Sequence, residues 1–351
     1  MSTLNFQTKI RIIHNWSNNY RYLYLKDSSF ILYGKFTIIL FHKNLNWEEL
    51  TPFKEKYSSN ITSMRKNKDG NILCCNQDLY IITIKSKITN LKHINIRKLL
   101  NKDEIFDAIE IYDNTILGIT KNYILNIIIK DENIDITKLY DIQKYYIKKE
   151  EGDLDFNSNL YIYELQNNNI LIHSYSFGIY DCSSECVERE YKFYKNKIFI
   201  FNFKYRYIKD FIEDNQKINI TTLKKYICII FNYKDISIYD INNYNLLKTI
   251  KVSICSTIKY NDNIILIIGG RARNKIILYD LSDINNIKYQ LFIPMDYIKD
   301  EIYTYSYLKD EIGIFRFNEK KILIVFPDSL FIFELPRIVD SLPLNILRCQ
   351  L

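Results

Sequence analysis

Glycine and proline are scarce in this sequence, with eight glycines and five prolines in 351 residues. This scarcity excludes collagen-like and proline-rich chains, whose structures depend on those two residues. The glycines also lack the G-x-G-x-x-G and Walker spacings, so the sequence offers no glycine loop of the kind that cradles phosphates. The hydrophobic fraction of 47% excludes the opposite extreme, a disordered chain with too few apolar residues to form a core.

Histidine and cysteine, which most often carry metal binding or nucleophilic chemistry, are few and scattered. Cys182 and Cys186 form a close pair, but no second pair or nearby histidine completes four zinc ligands. None of the four histidines is flanked by an evident nucleophile and an orienting acid. His173 falls within an apolar stretch, so we expect a hydrogen-bonded imidazole in the core. We therefore predict no catalytic residue, no metal site and no cofactor.

Long hydrophobic runs are also missing. The longest, such as Ile264–Ile268, are far shorter than the roughly 18 residues that a membrane span needs. The opening segment Met1–Arg11 is polar and mixed, unlike a signal peptide. Seven cysteines are sparse and odd in number, unlike a disulfide framework. These features predict a chain without a membrane span in the reducing cytoplasm, and we expect a monomer.

Neither sign of charge dominates the sequence. Lys and Arg number 48 and Asp and Glu 41, which gives a formal net charge of +7 and a pI of about 8.7. A dedicated nucleic-acid-binding domain usually has a pI above about 9 and clusters its basic residues on one face. Here basic and acidic residues alternate in patches, as in the segment 148–151. Nucleic acid is therefore not the expected partner.

Short apolar runs of about five to eight residues recur along the chain, and Asn, Asp, Lys, Gly or Ser separates them. This is the pattern of strands and turns. Leu79–Ile84, Ile124–Ile129 and Ile227–Phe231 are clear examples. Only two segments favour a helix, Arg97–Ala108 and Tyr205–Asn215. The predicted fold class is all-β.

The apolar runs repeat in groups of four. Third runs align best, and Ile236–Ile241 parallels Ile276–Leu281, each with a Tyr-Asp pair before its last residue. Matching positions fall near residues 40, 83, 127, 181, 240, 280 and 334, a mean spacing of (334 − 40)/6, about 49. Four-stranded antiparallel units at such a period are the signature of a β-propeller. We predict one domain, 1–351, and favour seven blades over the alternatives of six or eight; the seven are at 20–53, 61–96, 106–140, 160–195, 217–251, 255–294 and 302–337.

The pairs Tyr180–Asp181, Tyr239–Asp240 and Tyr279–Asp280 resemble degenerate forms of the Trp-Asp pair that ends the third strand of a WD40 repeat. The Gly-His pair of that repeat is absent, and neither tryptophan lies in the Asp column. Gly269–Gly270, followed by the last of these pairs, also resembles one kelch blade. The resemblance implies a rigid ring whose variable loops bind proteins, and it leaves the WD40 and kelch lineages open.

The last blade lacks a fourth strand of its own, because its third strand ends near Leu335. The best donor is the alternating apolar segment Lys9–Ile13, within 8–13, which would pair beside Phe331–Leu335 and close the ring. The alternative donor is Leu344–Cys349. Closure by either segment would remove a free sheet edge.

The predicted function is a non-enzymatic scaffold for protein–protein interaction, an inference from fold-level analogy. The alternatives are a binder of an anionic ligand, either phosphoinositide or nucleic acid, and a kelch-like adaptor. Loops joining second to third strands share a face with the inter-blade loops, and we expect that face to be the more basic and to bind the partner. The candidate partner-binding residues are Lys35, Lys121, Lys148, Lys149, Lys234, Arg271 and Arg273.

Two connecting segments, 141–159 and 194–216, exceed the usual connection length and are predicted functional insertions. The second contains aromatic residues that alternate with aliphatic and basic ones, which would suit either a single-stranded nucleic-acid platform or a strand with an aromatic core face. The strand is the favoured interpretation. The aromatic residues are Phe199, Phe201, Phe203, Tyr205 and Tyr207.

Overall fold

A computed structural model provides the structure of the chain. The residues it describes are 5–11, 21–25, 29–33, 38–42, 46–50, 61–84, 88–112, 114–130, 133–147, 155–184, 187–232, 234–252, 254–259, 262–269, 275–292, 313–316, 321–325 and 329–334.

These residues form an all-β structure of four-stranded antiparallel sheets, as predicted, and seven such sheets occur among them. The chain begins with β1 (Asn5–Arg11) and continues into the first three sheets: β2 (Arg21–Tyr24), β3 (Phe30–Tyr33), β4 (Ile38–Phe41) and β5 (Trp47–Leu50); β6 (Ser63–Lys66), β7 (Ile72–Asn76), β8 (Asp78–Ile84) and β9 (Ile88–Ile94); β10 (Ile105–Tyr112), β11 (Thr115–Thr120), β12 (Tyr123–Lys130) and β13 (Asn133–Asp141). The fourth to sixth sheets are β14 (Asp155–Glu164), β15 (Asn169–Ser184), β16 (Val187–Asn202) and β17 (Tyr207–Asp214); β18 (Ile218–Thr222), β19 (Tyr226–Phe231), β20 (Asp235–Asp240) and β21 (Leu246–Lys251); β22 (Ile254–Lys259), β23 (Ile264–Gly269), β24 (Lys275–Asp280) and β25 (Lys288–Phe292).

The seventh sheet combines both ends of the described chain. Its strands are β26 (Gly313–Arg316), β27 (Lys321–Val325), β28 (Ser329–Glu334) and then β1. β1 pairs antiparallel with β28, from Asn5 opposite Glu334 to Arg11 opposite Ser329. The predicted pairing between the N-terminal segment and the last third strand is therefore present, although the strand begins four residues before Lys9. The alternative donor, Leu344–Cys349, lies outside the described residues.

Side chains from neighbouring sheets pack against each other and form the core. Successive residues of a strand point to opposite faces, and the second sheet shows the result at its adjacent cysteines. Cys74 packs into a cluster with Ile31 and Leu40 of the first sheet, whereas Cys75 packs with Ile116 of the third. Because both faces of a central strand are covered, runs such as β19 are apolar almost throughout instead of alternating.

The helix expected at Arg97–Ala108 is reduced to one turn, α1 (Ile96–Leu99), and β10 begins at Ile105. Asn95 caps α1, since its Oδ1 accepts a hydrogen bond from the Lys98 N–H at 2.8 Å. The helix expected at Tyr205–Asn215 is wrong, because most of that segment is the outer strand β17.

The fourth sheet departs most from the sequence prediction. Its strands run from Asp155 to Asp214, not over 160–195. Tyr180–Asp181 lies in β15, the second strand, and the third strand is β16. The error arose because β15 and β16 are long, with 16 residues each. As a result, the Tyr-Asp pair near the end of β15 lies at the position where the repeat period predicted a third strand. The predicted insertion 194–216 is consequently the end of β16 together with β17.

Candidate partner-binding face

In an antiparallel meander, successive turns alternate between the two ends of the sheet. The turns from second to third strands and the connections between sheets therefore share one end, which we call the hairpin face. Among described residues it includes the turns at Gln77, at 121–122 and at Asn232 and Lys234, and the connections 95–104, 142–147 and 215–217. The opposite end carries the first-to-second and third-to-fourth turns and is called the turn face.

Two of the predicted partner-binding residues are described, and both lie on the hairpin face. Lys121 lies in the turn between β11 and β12, and Lys234 in the turn between β19 and β20; both are exposed. They belong to the third and fifth sheets, and no contact joins them. The remaining candidates fall outside the described residues: Lys35, Lys148, Lys149, Arg271 and Arg273.

A buried hydroxyl holds the turn that presents Lys121. The Oγ1 of Thr120 accepts hydrogen bonds from the backbone N–H groups of Asn122 at 3.2 Å and Tyr123 at 2.9 Å. The Asn122 carbonyl in turn accepts from the Ile142 N–H at 2.8 Å, which ties the turn to the connection toward the fourth sheet. Lys121 is thus an exposed cation on a fixed backbone.

Asn232, in the left-handed region at φ 46°, organises the turn that presents Lys234. Its Nδ2 donates to Gln216 Oε1 at 2.9 Å, and its Oδ1 accepts from the Lys217 N–H at 3.2 Å. The Lys234 carbonyl accepts from the Val252 N–H at 2.7 Å. The turn is therefore bound to the connections that enter and leave the fifth sheet.

The most prominent feature of the hairpin face is the extension of β15 and β16. These strands pair along their whole length, up to Ser184 opposite Val187. β14 accompanies β15 only as far as Ile179, and β17 joins β16 only from Asn196. At about 3.3 Å per residue, the nine residues of β16 before Asn196 span roughly 30 Å. Over 187–193, β16 has no partner strand on its β17 side among the described strands. Sequence reasoning missed this hairpin, although the apolar run through β15 continues beyond a usual strand length.

A buried polar group fixes the base of this hairpin. His173 Nε2 lies 2.8 Å from Asn196 Oδ1, and Asn196 Nδ2 donates to the carbonyls of Gln216 at 2.6 Å and Asp214 at 3.3 Å. Because the amide nitrogen is a donor, its oxygen accepts, and His173 is the neutral tautomer that carries the proton on Nε2. Burial lowers the pKa of His173 to about 4, although its hydrogen bond to Asn196 acts in the opposite direction and raises that pKa. The predicted core imidazole is confirmed.

The connection 142–147 packs against the same base. The Ile147 N–H donates to Ser174 Oγ at 3.4 Å, and Ser158 Oγ donates to the Ile147 carbonyl at 2.7 Å. Tyr145 stacks on Phe199 with 4.3 Å between ring centroids. Both ends of the predicted insertion 141–159 are thus structural, since 155–159 also belongs to β14. Phe199 and Phe201 are fully buried, so the strand with an aromatic core face is confirmed for those two residues.

A second polar cluster joins the second sheet to the connection that follows it on the hairpin face. Asp78 Oδ1 accepts from the Arg97 N–H at 3.0 Å, and Asp78 Oδ2 lies 3.0 Å from His93 Nε2. Arg97 also donates to Gln77 Oε1 at 2.7 Å, and the His93 ring stacks on Tyr80 at 4.6 Å. The turn at Gln77 and the connection at α1 are thereby joined into one surface.

The inner strands carry an ion pair, fully buried at Asp107 and 31% exposed at the Arg65 side chain, that links three sheets. Asp107 is fully buried and accepts from Arg65 Nε at 2.8 Å, from Arg65 Nη2 at 2.5 Å and from the N–H groups of Ala108 at 2.9 Å and Ile162 at 2.8 Å. Arg65 also donates to the Ile162 carbonyl. Burial alone would lower the pKa of Arg65, but the charge and hydrogen bonds of Asp107 outweigh it and raise that pKa. With four donors on its carboxylate, Asp107 is suited to joining sheets and not to proton transfer.

The described side chains offer little for metal or cofactor chemistry. No group of three or more His, Cys, Asp or Glu side chains capable of holding a metal occurs among them. Three buried side-chain oxygens lack a hydrogen-bond partner, Ser63 Oγ, Asp103 Oδ2 and Ser176 Oγ, and they lie on different elements. No helix in the described part of the chain is both long and apolar enough to cross a bilayer.

Neither a protein-family model nor a curated protein matches the sequence. Solved structures match nearly its whole length. The WD40 β-propeller domain of Doa1 has a TM-score of 0.52 at 10% identity, covering 95% of this chain and 98% of that chain. YCF48 bound to D1 peptide has a TM-score of 0.59 at 11% identity, covering 95% and 99%. Virginiamycin B lyase from Staphylococcus aureus, with quinupristin, has a TM-score of 0.55 at 12% identity, covering 95% and 100%.

At such low identity these likenesses show the fold alone. The chain has the β-propeller fold, and the predicted resemblance to WD40-like propellers is confirmed at that level. The similar structures include an enzyme as well as a peptide-bound propeller. The fold therefore leaves chemistry and binding to be decided by the side chains of this chain.

Proposed function

We propose that the chain forms one closed ring of seven blades and acts as a non-enzymatic scaffold that binds protein partners. Three observations support the ring. Seven four-stranded sheets are described, β1 completes the last of them, and inner strand β26 contacts both β22 of the sixth sheet and β2 of the first. A closed ring would be a rigid support for loops.

The observation that carries the binding function is the β15–β16 hairpin. It projects from a base fixed by His173 and Asn196, so a partner would meet a preorganised element and lose little binding energy to ordering it. An extended strand edge can also accept a partner strand. Lys121 and Lys234 lie on the same face, and we place the partner site there, with the other five predicted basic residues as further candidates.

A shortened hairpin tests this function. Residues 178–193 are replaced by Asn-Gly, a two-residue turn suited to a hairpin, so that Phe177 still pairs with Tyr194. Proteins co-purifying with the full-length chain from its native cell are quantified by mass spectrometry for both forms. We expect the specific partners to be lost from the shortened form and retained by a Lys130→Glu control, whose exposed side chain lies on the turn face. Retention of every partner by the shortened form, or binding to phosphoinositide vesicles in their place, would contradict the proposal.

We also propose that the protein works in the reducing cytoplasm as a monomer. Cys74, Cys75 and Cys228 are free thiols buried in the core, and burial raises the pKa of Cys228 to about 12. Such thiols are unreactive and need no oxidising compartment. Sedimentation analysis tests the oligomeric state, and a stable dimer at micromolar concentration would contradict it.

A further inference from the structure

Exposed aromatic and aliphatic side chains cluster on the turn face and outer rim of the fourth and fifth sheets. Tyr205 is 69% exposed and Tyr207 is 51% exposed at the turn from β16 to β17. Leu246 and Leu247, at the start of β21, are 55% and 43% exposed. Tyr244, two residues before Leu246, is partly buried. We call these five residues the aromatic rim.

Two contacts join Tyr244 of the fifth sheet to the fourth sheet. Lys209 of β17 places its Nζ 5.2 Å from the centroid of the Tyr244 ring. Phe211, also on β17, packs against the same ring at 6.0 Å. Burial, followed by the charge of the neighbouring Tyr207, raises the pKa of Tyr244. Tyr244 of the fifth sheet therefore lies against β17 of the fourth, the strand that begins at Tyr207.

The turn that presents Tyr205 is held by a buried side chain. Asn202 is 4% exposed, and its Oδ1 accepts from the N–H groups of Lys204 at 3.1 Å and Tyr205 at 2.8 Å. Its Nδ2 donates to Asn169 Oδ1 at 2.8 Å. The Phe203 N–H donates to the Asn168 carbonyl at 3.0 Å, which docks the turn on the neighbouring loop. The exposure of Tyr205 is thus a fixed feature and not the result of a loose loop.

Cations outnumber acids around the rim. The segments 203–210 and 240–249 contain four cations and two acids, Asp210 and Asp240. Asp210 interacts electrostatically with Lys144 and Tyr145 of the connection 142–147, and Asp240 Oδ1 accepts from the N–H groups of Asn242 and Asn243. The four cations are Lys204, Arg206, Lys209 and Lys248.

We propose that the aromatic rim is a second protein-binding surface, and that its occupant is an acidic peptide segment carrying apolar side chains. Aromatic residues and arginine are enriched at interfaces, and contiguous exposed apolar surface on a soluble protein commonly marks one. The cations complement a negative chain, while Tyr205, Tyr207 and the two leucines receive its apolar side chains. This surface lies at the opposite end from the hairpin face and does not depend on the proposal made for it.

Single-stranded nucleic acid also combines negative charge with flat apolar groups, but the rim suits it less well. Lys204 lies over the Tyr205 ring at 5.3 Å and Lys209 over the Tyr244 ring at 5.2 Å. Each of these rings thus already has a cation on one face, where a base would stack. Leu246 and Leu247 are aliphatic, and they match peptide side chains better than bases.

The test begins with a phage-displayed library of random dodecapeptides selected on the full-length protein. We expect enriched peptides to combine Asp or Glu with Leu, Phe, Tyr or Trp. The most enriched peptide, fluorescein-labelled, is then measured by fluorescence anisotropy. The double variant Tyr205→Ser, Tyr207→Ser should bind it about tenfold more weakly or worse, the loss typical of removed interface anchors. Both tyrosines are more than half exposed, so the variant should melt like the wild type, and Tyr205→Ser alone provides a milder second variant.

Charge reversal supplies the sharper comparison. The triple variant Lys204→Glu, Arg206→Glu, Lys209→Glu should lose the acidic peptide and bind the same sequence with Lys in place of each acid. The control Lys130→Glu, Lys288→Glu changes two exposed lysines elsewhere and should bind as the wild type does. Four results would overturn the proposal: no enriched acidic peptide, peptide binding unchanged in the tyrosine variant, binding of an oligo-dT dodecamer in place of peptide, or self-association that the tyrosine variant abolishes.

Discussion

The third and fourth sheets are neighbours with the same strand order, yet they end differently on the hairpin face. In the third sheet, Thr120 closes a tight turn between β11 and β12, and the sheet stops there. In the fourth, β15 and β16 continue as a paired hairpin well past their neighbours. The buried pair of His173 and Asn196 lies where this extension begins, because β17 pairs with β16 only from Asn196.

This difference separates residues that hold the sheets together from residues that are displayed. Asp107 of the third sheet is buried and joins three inner strands. Beyond Ile179 and before Asn196, β15 and β16 pair with each other and with no other described strand, so we expect that this extension can change without disturbing the inner strands. The variants below, ordered from the largest expected effect to the smallest, test that separation.

Removal of the Asp107 carboxylate should have the largest effect. Asp107→Ala leaves Arg65 without its partner and two backbone N–H groups without an acceptor, and breaking such a pair typically costs about 3–5 kcal/mol. The free energy of unfolding is measured by urea denaturation. Asp135→Ala, an exposed position on the outer strand of the same sheet, should stay within about 0.5 kcal/mol of the wild type. Equal losses at the two positions would show that Asp107 does not join the sheets.

His173 should make stability depend on pH. Its pKa is about 4 when folded and about 6.5 when unfolded. Between pH 6.5 and pH 4 the imidazole is therefore protonated in the unfolded chain but neutral in the folded chain. Stability is fully present above that window and is lost as the pH falls through it. The loss approaches about 3 kcal/mol, from roughly 1.4 kcal/mol per pKa unit. Urea denaturation of His173→Gln across pH 4–7 should show a correspondingly smaller pH-dependent loss, whereas His42→Gln should retain the wild-type loss.

Loss of the Asn202 side chain should loosen the aromatic turn. Asn202→Ala removes buried hydrogen bonds to Asn169 and to the turn backbone, at a cost of about 1–2 kcal/mol. Limited trypsin digestion should then cut faster after Lys204 and Arg206. Asn215→Ala, at an exposed position, is the matched control. Unchanged digestion of Asn202→Ala would mean that the turn holds its shape without this side chain.

Shortening the fourth sheet to resemble the third should have the smallest effect. The 178–193 replacement removes pairs that β15 and β16 make almost entirely with each other, so the melting temperature should change by less than about 3 °C. Differential scanning calorimetry measures it. A large drop would show that the extension packs on the rest of the molecule and is not merely displayed.

Much of this architecture can be predicted from the sequence. Alternating short apolar runs predict strands, and their period located six of the seven third strands, among them β12, β20 and β24. His173 was also predictable, because a lone histidine in an apolar run must lie inside with a partner. The aromatic run from Phe199 was read correctly as a core strand, but its pattern could not show that burial ends at Phe201 while Tyr205 and Tyr207 stay exposed.

The class of structure and the spacing of its sheets follow from local signals in the chain, because a two-residue period and turn-forming residues act over a few residues. The contacts between distant residues follow from folding alone: Arg65 meets Asp107 and Ile162, His173 meets Asn196, and Lys209 meets Tyr244. Folding also makes most of Tyr205–Asn215 a strand and extends β15 and β16 beyond their neighbours. These outcomes depend on pairing between segments far apart in the chain, and such pairing leaves no local signal that a single sequence can show.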